Sequence, residues 1–274
     1  MKYQYLLALI ACLTLQTWAG GSKTWKGGGS TPAWSDGSNW EGGVAPAEGD
    51  SVIIPAGKTA TAQSGDLTLL NSFSGVEIKS GGGLLLTEMI KDFSFEPPLT
   101  GGGSFTAKDF GYTITMSGDN SAFTGTFDFN LVYAKLTNDK GFGTTNQVTV
   151  ACYKPRGSNK WGLSVSGLTV SNRIDFIGGD SYALYATAGA TFCGPVTLDG
   201  YRTVTGNAHF KGGLTHTGTW TAFLGGSGFN NSSVYLEGDK PIGGEYTQYT
   251  PDGGPIFAKS GGAVDLGAPF RSGY

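Results

Sequence analysis

Three aspartates stand where carboxylate chemistry has to be considered. The stretch "NRIDFIGGD" places Asp175 and Asp180 near Arg173, and "LDGYR" places Asp199 near Arg202. Glycosidic hydrolysis uses two carboxyl groups at one site, one as acid and one as base or nucleophile. In a chain that coils with about 20 residues per turn, Asp180 and Asp199 would stack on neighbouring turns. Aspartates beside glycines are also ordinary turn residues, because their side chains bond the local backbone. No Asp-Asp pair, Gly-His-Gly or Arg-x-Lys arrangement accompanies them, and no acidic cluster suits a calcium-dependent lyase. The sequence therefore assigns no catalytic residue and leaves Asp175, Asp180 and Asp199 as the positions to inspect.

Metal and cofactor chemistry finds less support. A zinc site converges three or four ligands. The only histidines, His209 and His216, have Cys193 upstream and no third ligand close by. Repeated "GGxGxD" calcium motifs are absent. "AGKT" at 56–59 imitates the end of a phosphate loop, but Val52 stands where that loop needs its first glycine. No metal and no cofactor are expected.

The first residues have the form of an export signal. Lys2 precedes the apolar run "YLLALIACLTL", which is too short to span a bilayer. Small residues follow, and a cut after Ala19 makes 1–19 a signal peptide. "LIAC", ending at Cys12, offers a competing lipoprotein reading. No later stretch is apolar enough for a membrane span, so the expected location is secreted or cell-surface. Charged residues are 14% of the chain and the formal net charge is -3. With no Lys/Arg cluster in the sequence, a nucleic-acid partner is excluded. The expected partner is a cell-envelope or extracellular component, with polysaccharide among the candidates.

Glycine is abundant, with 47 residues, yet shows no Gly-X-Y period. Short apolar alternations recur about every ten residues, separated by turn signals such as "SGGG", "SGDN", "TNDKG" and "TPDGG". Examples are "SVII", "LTLL", "VEIK", "YTITM", "TFDFNLVYAKL", "QVTVACY" and "RIDFI". Only "LLLTEMIKDFSF" at 84–95 approaches helical periodicity. The fold class is all-β. Soft self-similarity among "FTGTFDF", "FCGPVTL" and "FKGGLTH" favours a right-handed, single-stranded parallel β-helix, with a β-sandwich as the alternative. Asn71, Asn120, Asn138, Asn172 and Asn207 are candidates for polar ladders between turns.

Residues 114–150 carry a family likeness. Ser117-Gly118-Asp119-Asn120, Phe123-Thr124-Gly125, Leu136-Thr137-Asn138-Asp139, Gly143 and Val148-Thr149-Val150 fall in the order of a known motif. The stretch resembles the autotransporter-associated β-strand repeat, although the usual Gly-Gly-Thr is reduced to Gly125-Thr126. The opening "W...W...NW..G..P..GD.V.I" likewise resembles the start of secreted bacterial β-helical proteins. Together they cover about a quarter of the chain. The resemblance implies a passenger-like bacterial surface or secreted protein. It departs from the family in showing no translocator barrel, so the chain is expected to be a truncated product or to use its signal peptide alone.

Trp25, Trp34 and Trp40 precede the first strand, where a solenoid needs a lid over its open end. Residues 20–50 are therefore expected to form a Trp-rich cap with Asp50 at the turn, and 51–274 the β-helix. The alternative is a glycan platform. Trp161 and Trp220 are candidate glycan contacts. Cys152 and Cys193 pair only if the interval between them is a single long turn. The functional reading is a non-catalytic surface β-solenoid for adhesion or structural presentation. Glycan binding is the alternative, and polysaccharide cleavage stands behind both.

Overall fold

The computed structural model describes residues 20–108, 111–144, 146–151, 162–178, 181–199 and 202–217, together with six short strands between 222 and 273. Residues 1–19 lie outside it. The chain winds as a parallel β-helix. A first sheet contains Ser22–Thr24, Ser51–Ile54, Gly75–Ile78 and Leu99–Thr100. A second begins with Thr59–Ala62, Gly83–Leu86, Ser104–Lys108, Thr126–Asn130, Gln147–Ala151 and Arg173–Ile177. It continues with Val196–Leu198, Leu214–His216 and Ile242–Gly243. A third runs from Phe93–Phe95 through Thr113–Met116, Tyr133–Leu136, Leu163–Ser166, Ser181–Phe192 and Arg202–Phe210. Every pairing between these named strands is parallel, which rules out the antiparallel sandwich alternative.

Period-2 alternation decides which residues face inward. In the second sheet one inward column reads Ala60, Leu84, Phe105, Phe127, Val148, Ile174, Val196 and Leu214. The next reads Ala62, Leu86, Ala107, Phe129, Val150, Phe176 and Leu198. All of these are buried. Phe127 stacks on Phe129 at 6.3 Å between centroids, and Phe142 packs against both at 5.5 Å. Columns of this kind remove apolar surface from water continuously along the axis, at about 25 cal/mol per Å².

Two expectations are corrected. "LTLL" is not a strand. Leu67–Leu70 forms one helical turn, entered through Ser64–Asp66. Gln63 and Asp66 make reciprocal capping contacts, and Leu67 and Leu70 point to the core. "LLLTEMIKDFSF" is not helical either. It divides between Gly83–Leu86 and Phe93–Phe95, because Leu84 and Leu86 fit inward columns already in place. Turn length also departs from a uniform 20 residues. Partners are 24 apart at Val52 and Val76, 22 at Phe105 and Phe127, 26 at Val148 and Ile174, and 18 at Val196 and Leu214.

Asparagines serve the corners as expected, with one addition. Asn120 accepts from Leu99 N–H at 2.7 Å and donates to Gly141 O at 2.6 Å, so it joins the turns on either side. Asn172 donates to Phe142 O and Asn146 O. Asn146, not singled out by sequence, donates to Phe123 O at 2.7 Å. Asn71 and Asn138 make similar bonds near the surface. Asn207 lies in the Arg202–Phe210 strand, directly after Gly206, where the pairing with Ser181–Phe192 shifts register. Glycine is required where the backbones close up. A Cβ on Gly125 would collide with Gly103 O.

Replacing Asn120 with Ala leaves two buried backbone groups without partners. We expect a loss of about 2–4 kcal/mol, measured by denaturant unfolding. An unchanged midpoint would show that the amide does not tie the turns together.

Candidate functional site

The three N-terminal tryptophans are buried. Trp25 lies 5.7 Å from Trp34 and 5.1 Å from Trp40, and Trp34 stacks on Phe73 at 5.7 Å. Their faces are therefore not offered to a sugar. The Trp34 indole N–H donates at 2.8 Å to Thr61 O, in the first strand of the second sheet. The Trp40 indole donates at 2.8 Å to Trp34 O. Asp66 accepts from Trp34 N–H at 3.0 Å and from Gln63 N–H at 3.0 Å. Asp50 accepts from Ala47 N–H at 2.9 Å and Gly21 N–H at 2.6 Å. Asn71 covers the first strand of the third sheet, donating to Ser94 O at 2.7 Å and accepting from Glu96 N–H at 3.3 Å.

The covering group is wider than residues 20–50. Ser22–Thr24 is itself a strand of the first sheet, and Gln63–Phe73 completes the closure. Asp66 was not among the residues singled out from the sequence. Its capping relation to Gln63 was the available signal.

The sequence-nominated carboxylates do not assemble into one acid–base pair. Asp175 is almost covered. It accepts from Arg173 Nε at 2.8 Å and from Gln147 Nε2 at 2.9 Å. The hydrogen bond to Asp175 and then its charge raise the Arg173 pKa. Asp199 is exposed. Its N–H donates to Phe176 O, so it lies one turn over and two residues along from Asp175, about 8 Å away by strand spacing. Asp180 lies outside the described residues.

A fourth carboxylate emerges from the register. On the outer face of the second sheet one column reads Thr61, Leu85, Thr106, Asp128, Thr149, Asp175, Thr197 and Thr215. Asp128 is half-buried between Thr106 and Thr149. Among the described residues no donor reaches its carboxylate, and desolvation alone raises its pKa. The alternation in "TFDFN" already placed it outward, but without glycine or a second charge nearby it carried no signal. Asp128 and Asp175 stand two turns apart, about 9.6 Å between strands, with Thr149 between them.

The same face carries an open polar trough lined by Thr59, Gly82, Gly83, Gly103, Ser104 and Thr126, among others. A second shallow depression lies on the first sheet around Ile53, Gly75, Glu77 and Thr100. His209 lies in a strand of the third sheet and His216 in a strand of the second, so their spacing of seven does not unite them. Among the described residues no group of three His, Cys, Asp or Glu side chains could hold a metal. Cys193 is a free, exposed thiol. Cys152, Trp161 and Trp220 lie outside the described residues.

Compared with known family models, curated proteins and solved structures, the chain matches none.

Two outcomes test this geometry. Trp34→Ala empties a site packed by three aromatic rings and frees Thr61 O. A loss of about 3–5 kcal/mol is expected, lowering the melting temperature by about 10 °C. Calorimetry showing a shift of under two degrees would exclude this role. Asp128→Asn removes a carboxylate whose ionisation burial opposes. A raised folded pKa means the penalty is present at neutral pH. It falls as pH drops through the folded value, and vanishes below the unfolded one. The variant should melt higher than the parent at pH 7 and together with it near pH 3. Equal melting at both pH values would remove Asp128 as a source of the penalty.

Proposed function

We propose that this chain is an exported or cell-surface β-solenoid for adhesion or structural presentation. The observation that carries the reading is the division of labour across the second sheet. Its inner columns are closed with aliphatic and aromatic side chains, while its outer face repeats small polar groups turn after turn. That arrangement gives length and a regular surface rather than a pocket around reacting groups. Asp175 is held by Arg173 and Gln147, which ties its strand to the one before instead of leaving the carboxylate open.

The apolar run after Lys2 supports export, and the repeat-like stretch over 114–150 supports a bacterial passenger-like role. Glycan binding is the second reading, favoured by the polar trough on the second sheet.

The test expresses the full chain in a Gram-negative host. Cleavage after Ala19 is read by mass spectrometry, and surface exposure by antibody labelling of intact cells. We expect a mature protein outside the cytoplasm. An uncut cytoplasmic product would overturn the reading. In parallel, the purified protein is incubated with a polysaccharide panel and assayed for new reducing or unsaturated ends. Their appearance, lost in Asp175→Asn or Asp128→Asn, would replace a scaffold with an enzyme.

A further inference from the structure

The polar trough and the unpartnered carboxylate occupy one continuous face. The register column Thr59, Gly83, Ser104, Thr126 lies beside the column Thr61, Leu85, Thr106, Asp128, Thr149. Gly83 creates the hollow. A Cβ there would stand 3.1 Å from Ser104 Oγ and 3.4 Å from Thr59 Oγ1, filling the space between the two hydroxyls. Thr126 borders the trough and stands two residues from Asp128 on the same strand.

Asp128 is the exception among the covered carboxylates. Asp50 and Asp66 each accept two backbone N–H groups, and Asp175 accepts from Arg173 and Gln147. Asp128 has lost part of its water without gaining a donor among the described residues. A half-desolvated carboxylate is best satisfied by hydroxyl donors arriving from outside, since charge-assisted bonds are the strong ones.

We propose that the outer face of the second sheet from Thr59 to Thr149 binds an uncharged, extended polysaccharide along the solenoid axis, its hydroxyls donating to the Asp128 carboxylate. The proposal deepens the surface-scaffold reading by naming its ligand, and it rests on that reading for access to extracellular polymer. Three features select this partner. The lining of hydroxyls and glycine backbone suits a polyol and offers a lipid little to bury. Arg173 is engaged by Asp175, and Lys108, outward on the same sheet, has a partner of its own, which leaves Asp128 as the carboxylate without one on this face and disfavours polyanions. Register positions recur about every 4.8 Å, close to the length of one ring in an extended sugar chain, so successive rings meet successive positions of the columns, hydroxyl-bearing at Thr59, Thr61, Ser104, Thr106, Thr126 and Thr149. Each contact is weak, and affinity comes from repetition.

The experiment is affinity electrophoresis of the purified protein through gels containing soluble neutral glucan, mannan or xylan, or polygalacturonate. Retardation by at least one neutral polymer and none by polygalacturonate is expected. Asp128→Asn should weaken retardation about tenfold, since it removes one charge-assisted bond. Gly83→Ala, which fills the hollow, should weaken it severalfold. Circular dichroism and melting at pH 7 confirm that both variants are folded. No retardation by any neutral polymer, stronger retardation by polygalacturonate, or equal retardation of parent and both variants would each overturn the proposal. Surface labelling of the same protein on cells then reports separately whether the scaffold reading stands.

Discussion

Stacking in register is the constraint on which this molecule rests. In a parallel coil each residue sits on the same position of the turn before and the turn after. An inward side chain must therefore fit two neighbours at a fixed rise as well as the opposite wall. The second sheet shows how volumes are matched. Ala107 lies between Leu86 and Phe129, and its small side chain accompanies Phe105 on the same strand. One turn on, Phe127 and Phe129 occupy both inward positions and Phe142 fills the space beside them. The same rise brings backbones together at the corners. There the sequence supplies glycine for contact or asparagine for hydrogen bonds.

Register also creates the problem of the ends. Each interior strand satisfies its backbone through both neighbours, whereas the first strand of each sheet has only one. At the N-terminal end the answer is different on each wall. The first sheet ends in a strand of only three residues, Ser22–Thr24, which leaves little edge to pair. An indole N–H reaches the second at Thr61, and the amide of Asn71 spans the third at Ser94 and Glu96. Asp66 links two of these devices, because it holds the Trp34 backbone and accepts from Gln63 N–H at the start of the 3-10 turn that leads into the helical turn before Asn71. A blocked edge denies further chains a template for pairing, which matters for a protein rich in short apolar strands.

What was legible in the sequence follows from the same physics. Period-2 runs between glycine-rich turns gave the all-β class, and loose repetition gave the solenoid. Aromatic residues before Ser51–Ile54 located the covered end. The helical turn at Leu67–Leu70 was illegible because four apolar residues satisfy either period, and the end of the coil, not propensity, decides between them. Turn length was illegible because insertions at corners leave the inward columns untouched, as the 26-residue step from Val148 to Ile174 shows. Asp175 was visible through its neighbouring arginine. Asp128 was not, since its character arises from threonines one turn away on each side.

The chain is poor in charge, so the placement of its few carboxylates carries information. Asp50 and Asp66 replace missing backbone partners near the closed end, and Asp175 fixes its strand to the one before through Gln147. Each gains bonds that offset its desolvation. Among the described residues Asp128 gains none, on a face where its neighbours one turn away are Thr106 and Thr149. Threonine or asparagine at that position would fit the column without the electrostatic penalty. The fold alone therefore gives no reason for the carboxylate. Either the penalty is tolerated, or a ligand on the outer face supplies the donors, and the regular rise of the coil means that such a ligand would itself be regular.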